Sequence, residues 1–192
     1  MINIRTDDEL ALLREAGHIV ARCHSMLKET IHPGISGLAL DGMVEALIRS
    51  HNGHPIFKGY HGFPNATCIS INNGIVHGIP NHQILQEGDI ISIDIGVQYK
   101  GYIGDSAWTY AVGEISEEKK FLLAHTEKAL WEGLSFVKAG AHLSNISHAI
   151  GTYATKQGLG IVKELTGHGV GTQLHEPPVI LNYGAPGKGP IL

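Results

Sequence analysis

The stretch Ile90-Ile-Ser-Ile-Asp-Ile-Gly-Val-Gln-Tyr-Lys-Gly-Tyr-Ile-Gly-Asp-Ser-Ala-Trp-Thr-Tyr-Ala-Val-Gly113 decides how this chain folds. Two β-branched, alternating runs flank Gln98-Tyr-Lys-Gly101, the pattern of strand, tight turn and strand. A turn centred on Tyr99 and Lys100 predicts Asp94 directly opposite Asp105. Opposed residues share one face, with Cβ atoms about 4.5–5.5 Å apart. Two carboxylates held that close repel, and no cationic neighbour in sequence is fixed beside them. A divalent metal ion or a shared proton would relieve the repulsion. A longer loop with a solvated hairpin face is the plain alternative.

Working outward, strands are expected at Thr67–Ile71 and Ile75–Gly78, joined by the hairpin signal Asn72-Asn-Gly74. Upstream, Thr6-Asp-Asp-Glu9 forms a capping box opening a helix with Leu10, Leu13, Ala16, Val20 and Leu27 on its apolar positions, and Pro33-Gly34 stops it. A second helix carries Leu40, Met43, Val44, Leu47, Ile48 and His51, closed by Asn52-Gly53. Downstream, Ser116 caps a third helix to about Lys138, and a fourth runs from Ser144 to about Gln157. An offset of 106 carries Leu40, Val44 and Ile48 onto Ile146, Ile150 and Ala154, and Gly34 onto Gly140. We therefore expect one domain over residues 1–192, built of half-repeats of about 1–113 and 114–192. The same offset carries 90–113 to 196–219, past Leu192, so the second half is expected to be incomplete.

The 192 residues suffice for a hydrophobic core, and the formal charge of −4 leaves no electrostatic footprint for nucleic acid. Neither a signal peptide nor a run long enough to span a bilayer is present in these residues. Cys23 and Cys68 form no disulfide framework or structural zinc spacing, so a cytoplasmic location is expected. The phosphate-binding loop, the dinucleotide fingerprint and the serine-hydrolase elbow are also missing. A glycosidase would hold its two carboxylates apart across a sugar, and nothing here resembles a sugar-stacking platform.

Three of the thirteen histidines stand apart by their surroundings. His77 follows the Asn-Gly turn, His168 lies in Gly167-His-Gly169, and His175 precedes Glu176-Pro-Pro178. Glycines on both sides of His168 let a ligand or another backbone approach closely. An imidazole beside two carboxylates makes a mixed nitrogen and oxygen site suited to Mn, Fe, Co or Zn. A packing or turn role is the alternative for each histidine alone. No role is assigned to His18, His24, His32, His51, His54, His82, His125, His142 or His148.

The motifs Phe57-Lys-Gly-Tyr-His-Gly-Phe63, Cys68-Ile-Ser-Ile-Asn72, Val76-His-Gly-Ile-Pro80, Ile93-Asp-Ile-Gly96, Gly104-Asp-Ser106, Gly167-His-Gly-Val-Gly171 and Leu174-His-Glu-Pro177 occur in order along essentially the whole chain. Together they resemble the type I, bacterial methionine aminopeptidases of the pita-bread metallopeptidases. The resemblance implies an α+β, pseudo-twofold fold, here expected without its last strands. It implies removal of the initiator methionine by metal-activated water attack on the first peptide bond. Asp94, Asp105 and His168 would be metal ligands of a site for two divalent ions (Co, Mn, Fe, Zn or Ni). His77 and His175 would hold the substrate and the tetrahedral intermediate, and Tyr60, Phe63 and Cys68 would line the methionine pocket. The implied partners are N-terminal methionyl peptides and nascent chains at the ribosome, with no nucleic acid or membrane and a monomeric state. The family's two further ligands, both glutamates, one also the general base, would fall beyond Leu192. The expectation is therefore weak metal binding, low stability and little activity for this chain; a non-catalytic remnant and a prolyl-specific relative are the other readings.

Overall fold

A computed structural model describes residues 2–192. The chain divides into two compact units at Ser116 and Glu117, with Val170–His175 belonging to the amino-terminal one.

In the amino-terminal unit, helices α1 (Asp7–Thr30) and α2 (Gly37–Ser50) lie on a sheet of β1 (His54–Pro55), β2 (Thr67–Ile71), β3 (Ile90–Tyr99) and β4 (Tyr102–Ala111). The capping box forms as expected: Thr6 Oγ1 accepts from the Glu9 amide at 3.3 Å, and the Glu9 carboxylate accepts from the Thr6 amide at 2.8 Å. Strand β3 is the centre of the sheet, antiparallel to β1, β2 and β4. Its odd-numbered residues Ile91, Ile93, Ile95 and Val97 are completely buried against Ile19, Val20 and Leu27 of α1 and Leu40, Val44 and Ile48 of α2. The expected positions Leu10 and Met43 lie instead on exposed sides of their helices.

Two expectations need correcting. The residues Ile75–Gly78 do not form a strand. Asn72 and His77 take left-handed backbone angles, φ +50° and +57°, which break the extended path that the β-branched run suggests. What remains of the pairing is one backbone bond, from the Ile69 amide to the Gly78 carbonyl at 2.8 Å. The third helix, α3, ends at Leu134 rather than near Lys138.

In the carboxy-terminal unit, α3 (Glu117–Leu134) packs on α4 (Leu143–Lys156), and β5 (Gly167–Gly169) pairs with β6 (Glu176–Ile180). The offset of 106 carries α2 onto α4 end to end, and four of the buried positions coincide: Gly37 with Leu143, Leu40 with Ile146, Asp41 with Ser147 and Ile48 with Ala154. Each helix is entered the same way. Gly34 donates to the Leu85 carbonyl and Gly140 to the Leu192 carbonyl, at 2.8 and 2.9 Å. Isolated antiparallel bridges join Ser36 to Ile84 and His142 to Ile191. Among the described residues, no helix is long and apolar enough to cross a membrane.

Candidate metal centre

The hairpin β3–β4 turns at Lys100-Gly101, with Tyr99 paired to Tyr102. Both turn residues have positive φ, +47° and +90°, as a two-residue turn matching strand twist requires, and glycine takes the second position without strain. The turn therefore sits one residue later than expected. Asp94 pairs with Ala107 and Asp105 with Gly96, so the aspartates are diagonal rather than opposite. They still share a face, and their carboxyl groups are hydrogen-bonded to each other.

Burial raises the pKa of both groups. Asp105 is pushed up to about 8, first by burial and then by the negative charge of Asp94 and its hydrogen bond. For Asp94, burial outweighs the opposing pull of the Asp105 hydrogen bond and of the neighbouring His77. At neutral pH the pair thus shares a proton between oxygens that would otherwise both be anionic. Two buried carboxylates that can remain together only by holding a proton are also the donor set a divalent cation displaces that proton from. Their chemistry fits a metal ion.

On the same face lies an apolar cluster of Phe57, Cys68, Ile103 and Leu174, with Phe63 packed against it. Cys68 is the cross-strand partner of Asp94, and Ile103 stands two residues before Asp105 on β4. Burial, with the nearby carboxylates, pushes the Cys68 thiol up to about 12, so it stays protonated and acts as a small hydrophobe. Tyr60 lies in a single 3₁₀ turn, Tyr60–Gly62, and its hydroxyl is 3.1 Å from His175 Nδ1. His77 sits close enough to Asp94 for the two charges to interact.

His168 belongs to the carboxy-terminal unit, on β5 opposite Val179. The glycine that follows it serves a backbone approach: a Cβ at Gly169 would stand 2.8 Å from the Pro177 carbonyl oxygen of β6. His168 Nδ1 donates to the Gly169 carbonyl at 3.0 Å. In the neutral ring this leaves the lone pair on Nε2, the tautomer that a metal-ligating histidine with a carbonyl partner adopts. Among the described residues, no three or more His, Cys, Asp or Glu side chains are drawn together as a metal cluster. The structure thus joins the carboxyl groups of Asp94 and Asp105, sets Cys68 across the strand from Asp94 with His77 within electrostatic range of it, and pairs Tyr60 with His175.

One neighbour escaped the sequence reading. His24 of α1 places Nε2 3.1 Å from the Ser106 carbonyl and Nδ1 2.7 Å from the Tyr110 hydroxyl. Burial lowers its pKa, opposed by the Ser106 bond and by the charge of Asp94. Its helical spacing carries no signal of these contacts, because Tyr110 is 86 residues away.

A sequence profile of metallopeptidase family M24 matches residues 11–192. The chain is 53% identical over 192 residues to methionine aminopeptidase 1 of Bacillus subtilis, covering all of this chain and 77% of that one. It is 45% identical to a methionine aminopeptidase of Clostridium acetobutylicum, with the same coverage. The crystal structure of methionine aminopeptidase from Rickettsia prowazekii superposes on all of this chain and 77% of that one, with a TM-score of 0.97 and 38% identity.

Proposed function

Because the chain belongs to metallopeptidase family M24 and has its pita-bread fold, we propose that it is a methionine aminopeptidase, a hydrolase that removes the initiator methionine from polypeptides. The observation that carries the site is the buried, mutually hydrogen-bonded pair Asp94 and Asp105, on one face of the hairpin beside an apolar cluster containing Cys68 and Phe63.

Asp94 and Asp105 would supply the anionic oxygens that hold divalent metal, and His168 a neutral nitrogen; the part of His168 rests on its motif and tautomer. The metal, when bound, polarises the scissile carbonyl and lowers the pKa of water. We assign two ions per site from among Co, Mn, Fe, Zn and Ni. Cys68, Phe63 and Tyr60 would receive the unbranched methionine side chain, for which a buried protonated thiol and aromatic edges offer polarisable contacts without charge. His175, oriented through Nδ1 by the Tyr60 hydroxyl, would donate from Nε2 to the oxygen on which charge develops. His77, in a backbone conformation unusual for a side-chain-bearing residue, would meet the substrate on the Asp94 side. On this reading the substrates are nascent chains at the ribosome, the compartment is the cytoplasm and the acting form is a monomer.

The amino-terminal residue should be released from a methionyl tripeptide on addition of Co²⁺ or Mn²⁺, as free methionine, while the lysyl counterpart should release no free lysine. Asp105→Ala should abolish release and lower Co²⁺ affinity. His175→Ala should leave Co²⁺ binding in place while lowering kcat by about 10²-fold, the range for a lost transition-state donor. Metal-dependent release that survives in Asp105→Ala would overturn the assignment.

A further inference from the structure

Asp105 is the middle residue of a triplet, Gly104-Asp105-Ser106, whose two outer members are both held by α1. At Gly104 the hold is steric: a Cβ there would stand 2.6 Å from the backbone nitrogen of Gly17. At Ser106 it is a hydrogen bond, in which His24 Nε2 donates to the carbonyl at 3.1 Å. Gly17 and His24 are seven residues apart on α1, two turns along almost the same side of the helix. Helical side chains lean toward the amino terminus, which carries the imidazole back toward the turn facing β4.

The imidazole is itself fixed. With Nε2 protonated to serve a carbonyl, Nδ1 of the neutral ring accepts from the Tyr110 hydroxyl at 2.7 Å. The same hydroxyl proton is also directed at the backbone carbonyl of His24, which accepts at 3.2 Å, so the ring nitrogen and the carbonyl share it. Tyr110 is buried in the core between α1 and the sheet. Strand β4 pairs with β3 alone among the strands of this sheet; beyond that pairing, the Ile103 amide donates to the Gly171 carbonyl at 2.8 Å and His24 adds a restraint at Ser106.

We propose that His24 is a positioning residue for the carboxylate pair, holding β4 through the Ser106 carbonyl so that Asp105 stays aligned with Asp94 and, on the metal-site reading above, with the metal. It acts through the backbone and takes no part in the reaction.

Three substitutions separate the ring's two contacts. His24→Gln keeps a donor near the place of Nε2; His24→Asn reaches only as far as Nδ1; His24→Leu fills the space with neither. The first readout needs no metal. Amide hydrogen exchange at Asp105, Ser106 and Ala107 should quicken about tenfold in the Leu and Asn variants, the equivalent of one lost hydrogen bond, and recover in Gln. The second is titration with Co²⁺ alone, followed by its visible absorption. Affinity should fall about tenfold in Leu and Asn and stay within about twofold in Gln, as for groups that orient ligands.

Asp105→Ala run alongside distinguishes the two layers. If it binds Co²⁺ as the wild type does, the metal-site reading fails, while the exchange pattern still decides the role of His24. Should His24→Leu not fold, Tyr110→Phe loosens the ring by removing one hydroxyl and should raise exchange at the same amides. Unchanged exchange in the Leu and Asn variants, or a Gln variant no better than Leu, would overturn the proposal.

Discussion

Asp105 has the same carboxyl group as any other aspartate, yet its pKa stands at about 8 because it is buried beside a second carboxylate. The linkage has a definite sign. The folded chain holds this proton more tightly than the unfolded one, so the group's favourable contribution is complete below about pH 4. It is then lost as pH rises toward 8, through the folded-state value. Metal-free protein should therefore lose Tm between pH 5 and pH 8, and Asp105→Asn, which cannot ionise, should flatten that loss. Thermal unfolding in chelator across that range checks it; parallel profiles for the two proteins would show that the pair is not the source. Because metal and proton compete for the same oxygens, Co²⁺ affinity should rise over the same interval.

At the scale of elements, the site depends on how strands are aimed. Asp41 of α2 is buried and accepts from the Thr67 amide, the Thr67 hydroxyl and the Asn65 side-chain amide, at 2.8, 2.7 and 2.8 Å. It thereby fixes the start of β2 one residue before Cys68. Asp41→Ala leaves buried donors without an acceptor and should cost about 3 kcal/mol, while Asp41→Asn, which keeps an oxygen for Thr67, should cost about 1 kcal/mol. Urea unfolding of the three proteins gives the comparison; equal losses would mean that space filling matters more than the accepted bonds. Such a clamp is invisible locally, since an aspartate at a helix position reads as solvated until its partners 24 and 26 residues away are known. The Ile75–Gly78 segment failed as a strand for a related reason. Its apolar, β-branched residues satisfy strand propensity, but propensity carries no information on the left-handed turn at His77.

Across the whole molecule, a ligand that binds only the folded chain adds stability by mass action. Co²⁺ or Mn²⁺ at about one hundred times its Kd should contribute about 2.7 kcal/mol, and a chain of this length then gains about 5–10 °C in Tm. A chelator should reverse the gain, and Asp105→Ala should not show it; a shift of equal size in that variant would place the bound metal elsewhere. Running the same titration on His168→Ala tests whether the carboxy-terminal unit's histidine contributes, since a ligand's loss lowers affinity and a packing residue's loss lowers Tm without metal. The repeated entry into α2 and α4, with matching glycines and matching bridges, is a property of this scale too.

Much of this was legible in residues alone. The capping box, the bounds of β2, the two helix pairs and the hairpin follow from local rules of capping, period and turn chemistry, which neighbours in sequence can satisfy by themselves. Even the misplaced turn did little damage. Sliding a two-residue turn by one position moves the register by two, and side chains alternate with period two, so Asp94 and Asp105 keep a common face in either register. Whether their carboxyl groups meet, and that His24 reaches Ser106 or Tyr60 reaches His175 across 115 residues, only the tertiary structure decided. Such meetings depend on how helices settle on the sheet, and packing at a distance leaves no period or spacing for the sequence to display.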